Sequence, residues 1–196
     1  MKRKVLVVVA IASALFLSGC SSVNEAAKIG KTEITLTTVQ SSINDVLKER
    51  AKFDTTNSNL PSGKDLNLSI LRFHVISALF DALAAGAKLN ITDGDLAKQR
   101  ATIISQIGSE DKLPSALVNA SLAEKDLPRY LRTVVIANRI SEIVKASGDT
   151  STDGSGVQKL IIAAGKHEGV TINPRYGTWN YETGAIDAAA KNSALK

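Results

Sequence analysis

Few residues in this chain are placed to do chemistry, and the most sharply placed is Cys20, which follows Leu17-Ser18-Gly19. Upstream stand Lys2, Arg3 and Lys4, then an apolar run over residues 5–17. A charged start, a short apolar middle and small residues before a cut make a cleaved export signal. The run is shorter than the roughly 20 residues of a membrane span. Residues 1–19 are therefore expected to be removed, leaving Cys20 at the new N-terminus of an exported chain. Its thiol is the only one, so no internal disulfide and no thiolate metal cluster can form.

The other candidates are weaker. His74 lies in an apolar helical pattern and His167 between Lys166 and Glu168 near a helix end, neither within a metal or nucleophile motif. Helix packing for His74 and a favourable C-terminal position for His167 are the stronger readings. Asp93-Gly94-Asp95 and Asp153-Gly154-Ser155-Gly156 lack the spaced carboxylates and closing Glu of a calcium loop. They read as a helix start and a linker. Tyr176, Trp179 and Tyr181 cluster directly after Asn173-Pro174-Arg175 in a chain with only seven aromatics after residue 20. Such rings either offer a contact surface or dock on the body to pin the chain end, and docking is the stronger reading.

Losing residues 1–19 removes three of the 24 basic residues and none of the 19 acidic ones, so the exported charge is near +2. That excludes the clustered basic face of a nucleic-acid binder. The remaining 177 residues suit one domain with an aliphatic core. A cysteine after Leu-Ser-Gly resembles the bacterial lipobox, in which the sulfur takes a diacylglycerol before cleavage. That resemblance implies a lipid on Cys20, and two acyl chains anchor stably where one holds marginally. Residues 20–26 would then be a tether. The three glycosylation sequons at Asn67, Asn90 and Asn119 are chance matches in a chain of that kind.

The elements that must position these groups are mainly helical. Residues 28–34 alternate around Gly30 and predict a strand or hairpin. Leu36, Val39, Ile43, Val46 and Leu47 form one helix face. Residues 54–64 predict a loop, with Asp65 as the cap of a long central helix through Leu66, Ile70, Phe73, Phe80 and Leu83. Thr92 with Asp95 starts a third helix ending at Gly108, and Ser121 with Glu124, or Asp126, starts a fourth through Leu131, Val135 and Ile143 to Gly148. Residues 148–156 predict a flexible linker, followed by a short helix, a strand at residues 170–172 and a fraying tail from 183 to 196. The aligned pieces give one domain over residues 27–182.

In order, these elements resemble the N-terminal domain of SurA- and PrsA-type envelope chaperones. The likeness rests on Ala27-Lys28-Ile29-Gly30 with Ile34-Thr35, on residues 71–88 leading into Leu89-Asn90-Ile91-Thr92-Asp93, on residues 127–143 with Leu131-Arg132, and on residues 170–179. The last run, containing Asn173-Pro174-Arg175-Tyr176-Gly177-Thr178-Trp179, resembles the close of SurA-like lipoproteins of actinobacteria. The resemblance implies a helical cradle in which residues 28–34 pair with residues 170–172. It implies a non-catalytic holder of unfolded, newly exported proteins on the outer face of the cell membrane, with Asn173, Pro174, Arg175, Tyr176, Gly177 and Trp179 as candidate client contacts. Only about fifteen residues follow Trp179, too few for the roughly hundred-residue parvulin domain of fuller relatives, so no isomerase activity is expected. No cofactor, metal or small-molecule substrate is implied. The alternative is a lipoprotein docking one specific envelope partner, and the absence of methionine after Met1 weighs against a promiscuous groove.

Overall fold

The computed structural model describes residues 24–56, 58–148 and 154–189. Cys20, the signal and the end of the tail lie outside them. The chain is mainly helical with a small antiparallel sheet joining its two ends, as its pattern predicts. Strand β1 (Glu25–Ile29) turns at Gly30, at φ 56°, into β2 (Thr32–Thr35). Glu25 and Ala26 are thus part of the sheet rather than of a tether, and Ala26 is fully buried.

Thr35 caps α1 (Leu36–Arg50), its hydroxyl accepting from the Thr38 amide. Val39, Ile43 and Val46 are buried at helical spacing, and the same stripe continues to Arg50. The central helix α2 (Gly63–Gly86) is buried on two faces through Leu66, Ile70, Leu71, Val75 and Leu79. It is long and apolar enough to cross a membrane, yet its apolar side chains are spent on the core. Its cap position is Ser62, and Asp65 lies inside the first turn, where a carboxylate meets the positive end of the helix dipole.

Helix α3 (Asp93–Ile107) opens on the reciprocal Thr92–Asp95 capping box. Helix α4 (Leu113–Asn119), with Pro114 in its first turn, occupies a stretch with no predicted element. The expected cap at Ser121 is not one: Ser121 sits at φ 55° in a turn, and its hydroxyl accepts from Arg50. Nor does Asp126 cap with its side chain; α5 (Leu127–Ala146) follows a short helical turn and carries Pro128 in its own first turn. Helix α6 (Ser155–Glu168) leads into β3 (Val170–Ile172).

Sheet order is β2-β1-β3, with Ala27 opposite Ile172 and Ile29 opposite Val170. The end of the chain then departs from expectation. Strands β4 (Gly177–Asn180) and β5 (Ala185–Ala188) form a separate antiparallel hairpin, so residues 185–188 are ordered pairing strand and not fraying tail. One side chain explains it: Ile186 is 1% exposed, opposite Trp179 on the buried face.

Two apolar clusters result. The main one joins β1, β3, the hairpin and helices α1, α2, α5 and α6. The smaller one is built from Leu113, Leu117, Leu122, Leu127 and Leu131, with Leu96, Ile103, Ile104 and Ile107 of α3 packed on it only in part. No residue of α3 is buried.

Candidate functional site

The Asn173–Trp179 run is built as a corner. The Asn173 amide donates to the Ala26 carbonyl at 2.9 Å and its side-chain Nδ2 to the Glu25 carbonyl at 2.8 Å, fastening β3 to the first strand. Its Oδ1 accepts from the Arg175 amide and its carbonyl from the Tyr176 amide, closing a turn over exposed Pro174 and Arg175. Tyr176 is half-buried, and burial raises its phenol above the usual range. Gly177, at φ 134°, cannot be replaced without conflict, because an added Cβ would stand 1.9 Å from the Asp187 carbonyl oxygen.

Trp179 is 8% exposed, and its ring lies so close on α6 that a Cβ on Gly165 would be 3.0 Å from Nε1. That nitrogen is buried without a hydrogen-bond partner. An orphaned donor costs about 1–3 kcal/mol, so the ring's burial is strong but imperfect. Beneath the hairpin lies an apolar cavity of ≈ 100 Å³ lined by Val75, Ile76, Trp179 and Ile186, with Arg72 at its edge. Trp179 is therefore a docked core residue, while Pro174 and Arg175 of the same run are exposed. Tyr181, which the sequence grouped with the rings, does something separate. Its hydroxyl accepts from the Val170 amide and donates to the Val170 carbonyl, each at 3.0 Å.

Two polar sites inside the helices were not legible as pairs. Ser42 of α1 and His74 of α2 share a hydrogen bond at 3.1 Å, with both residues buried. A serine on an imidazole is the opening of a nucleophile–base arrangement, and the Asp126 carboxylate acts electrostatically on the ring. Ser42 is 1% exposed, however, so no substrate carbonyl reaches its hydroxyl, and the pair is a helix-packing link. Desolvation holds the His74 pKa below the ordinary value, Asp126 working against it and Arg129 and Lys125 with it. The unfolded chain then binds a proton that the folded chain refuses. Stability is full above about pH 6.5 and declines as pH falls below it. Urea midpoints between pH 7 and 5.5 are expected to drop more for the native chain than for His74→Gln, and parallel slopes would contradict this.

Arg50 is the second. At 9% exposure its guanidinium donates to the Pro61 carbonyl and to Ser121 Oγ, both at 2.6 Å, while Nε is buried without a partner. Desolvation lowers its pKa, yet an arginine stays charged. Its place on the stripe of Val39, Ile43 and Val46 is the sequence signal for a buried cation tying two loops together. His167 is exposed in the last turn of α6, 3.2 Å from Glu168 Oε1. Asp95 serves the cap and pairs with Arg139 at 2.7 Å. Among the described residues no group of His, Cys, Asp or Glu is placed to hold a metal ion. Cys20 lies outside the described residues.

No family model, no curated protein and no solved structure matches this chain.

Proposed function

We propose that this chain is a membrane-anchored, extracytoplasmic chaperone or folding factor that holds unfolded exported proteins without catalysis, tethered through lipid on Cys20. The observation that carries the reading is α3. It lies against α5 and α4 as an amphipathic helix with no buried residue, and its Leu96, Ile103, Ile104 and Ile107 are only partly covered by the leucines of α4 and the start of α5. Partly covered aliphatic surface binds without directional demands, which suits segments of many sequences. The β1–β3 pairing that ties the two ends beneath the helices agrees with the topology the resemblance implies.

Protein lacking residues 1–20 is expected to suppress aggregation of a chemically denatured model protein at near-stoichiometric ratios, followed by light scattering. Ile104→Ala on α3, which trims the apolar face without introducing a charge, is expected to weaken that suppression severalfold with only a modest fall in the thermal midpoint. A native chain without effect on aggregation would reject the reading. The second reading, an interaction module for one envelope partner, is favoured by the absence of any methionine after Met1. One stoichiometric partner in an in-cell crosslink, in place of many unrelated chains, would establish it.

A further inference from the structure

Among the described residues, β3 has a strand neighbour, β1, on one side only. The Gly169 carbonyl and the Asn173 amide both point to β1, accepting from Gly30 and donating to Ala26. Strand alternation therefore turns the amide and carbonyl of Val170 outward, to the open edge of the sheet. An open edge is where another chain adds as a strand. Here one side-chain hydroxyl, that of Tyr181, satisfies both outward groups of Val170 at 3.0 Å. The tyrosine stands where a partner backbone would, supplying one acceptor and one donor.

The hairpin carrying Tyr181 also covers apolar surface. Trp179 and Ile186 fill the slot over α2 and α6, Arg72 Nη2 donates to the Ile186 carbonyl at 2.8 Å, and Gln158 to that of Thr183. Yet this seal is built loosely. The hairpin is a two-stranded sheet with no ladder to the main one, and such hairpins are marginal alone. Its tryptophan nitrogen is orphaned and a cavity remains beneath it.

We propose that the β4–β5 hairpin is a displaceable strap over a second client site, into which an extended, apolar polypeptide segment adds as a strand alongside Val170 of β3. Main-chain hydrogen bonds to Val170 would replace those of Tyr181, and an apolar client side chain would take the slot of Trp179 or Ile186. The inference rests on the holding activity proposed above. Strap closure lowers the apparent affinity by the fraction of molecules that are open, so loosening the strap tightens binding.

The test uses the full chain in detergent micelles with a reduced, carboxymethylated, permanently unfolded model protein as probe. Tyr181→Phe keeps the ring and removes the hydroxyl; Arg72→Met loosens the other strand independently. Tyr181 is over one-third exposed, so its variant retains the fold, and far-ultraviolet circular dichroism verifies this. Each variant is expected to bind the probe roughly three- to tenfold more tightly than the native chain. Exchange of the Val170 amide, followed by NMR, should speed up in Tyr181→Phe and slow again when the probe is added. Unchanged affinity in both variants, with Val170 still unprotected by the probe, would overturn the strap while leaving the holding activity of the native chain standing. If neither the native chain nor the variants bind the probe, the holding activity itself is refuted, and the strap with it.

Discussion

Trp179→Ala is expected to lower the unfolding free energy by about 2–4 kcal/mol, read as a fall in the urea midpoint. Truncating a buried Trp costs about 3–5 kcal/mol through lost transfer energy and the cavity left behind. Two features of this site move the figure in opposite directions. The orphaned Nε1 disappears with the ring, returning about 1–3 kcal/mol. The new void would merge with the ≈ 100 Å³ cavity already beneath the hairpin, leaving Ile186 without its cross-strand partner. The net loss stays large because the whole hairpin depends on those two side chains. Trp179→Phe, which keeps an aromatic over Gly165 without the indole nitrogen, is expected to lose less than half as much. A variant Trp179→Ala as stable as the native chain but unable to bind unfolded protein would show that the ring serves clients and not the core.

The second large effect is chemical. Cys20→Ala is expected to abolish the lipid mass on the N-terminal peptide and to move the protein from the membrane to the soluble fraction. Each buried methylene contributes about 0.8 kcal/mol to membrane partition, so two acyl chains hold a protein beyond the reach of a salt or carbonate wash. Without them residues 5–17 are an apolar segment short for a span, and the apolar side chains of α2 are turned into the core. A native chain whose N-terminal peptide still carries residues 1–19 and no lipid mass would mean that the apolar run itself is the anchor.

The long helices were legible because each carries its own periodic signal: the stripe of α1, the doubly apolar α2 and the Thr92–Asp95 box of α3 are all local patterns. The pairing of β1 with β3 came from the resemblance and agrees with the observed register. What escaped has a common cause. Helix α4 is seven residues long, and β4 and β5 are four residues each with one large buried side chain apiece, too little for a period to show. Ser121 and Asp126 carry capping chemistry in type but not in place, because Ser121 is taken by Arg50 from 71 residues away. The same distance problem hid the Ser42–His74 link and the grip of Tyr181 on Val170, both contacts that the fold creates and no spacing announces.

The central position of β1 has a mechanical consequence. Glu25, its first residue, is five residue steps from Cys20, a covalent reach of roughly 17 Å at full extension. On the proposed reading, a lipid at Cys20 would hold β1 within that reach of the bilayer. A pull on such a tether would enter the molecule at β1, which is fastened on both sides, to β2 and to β3. The pull is thus shared between two ladders before it reaches the helices, so the chain is loaded where it is best braced.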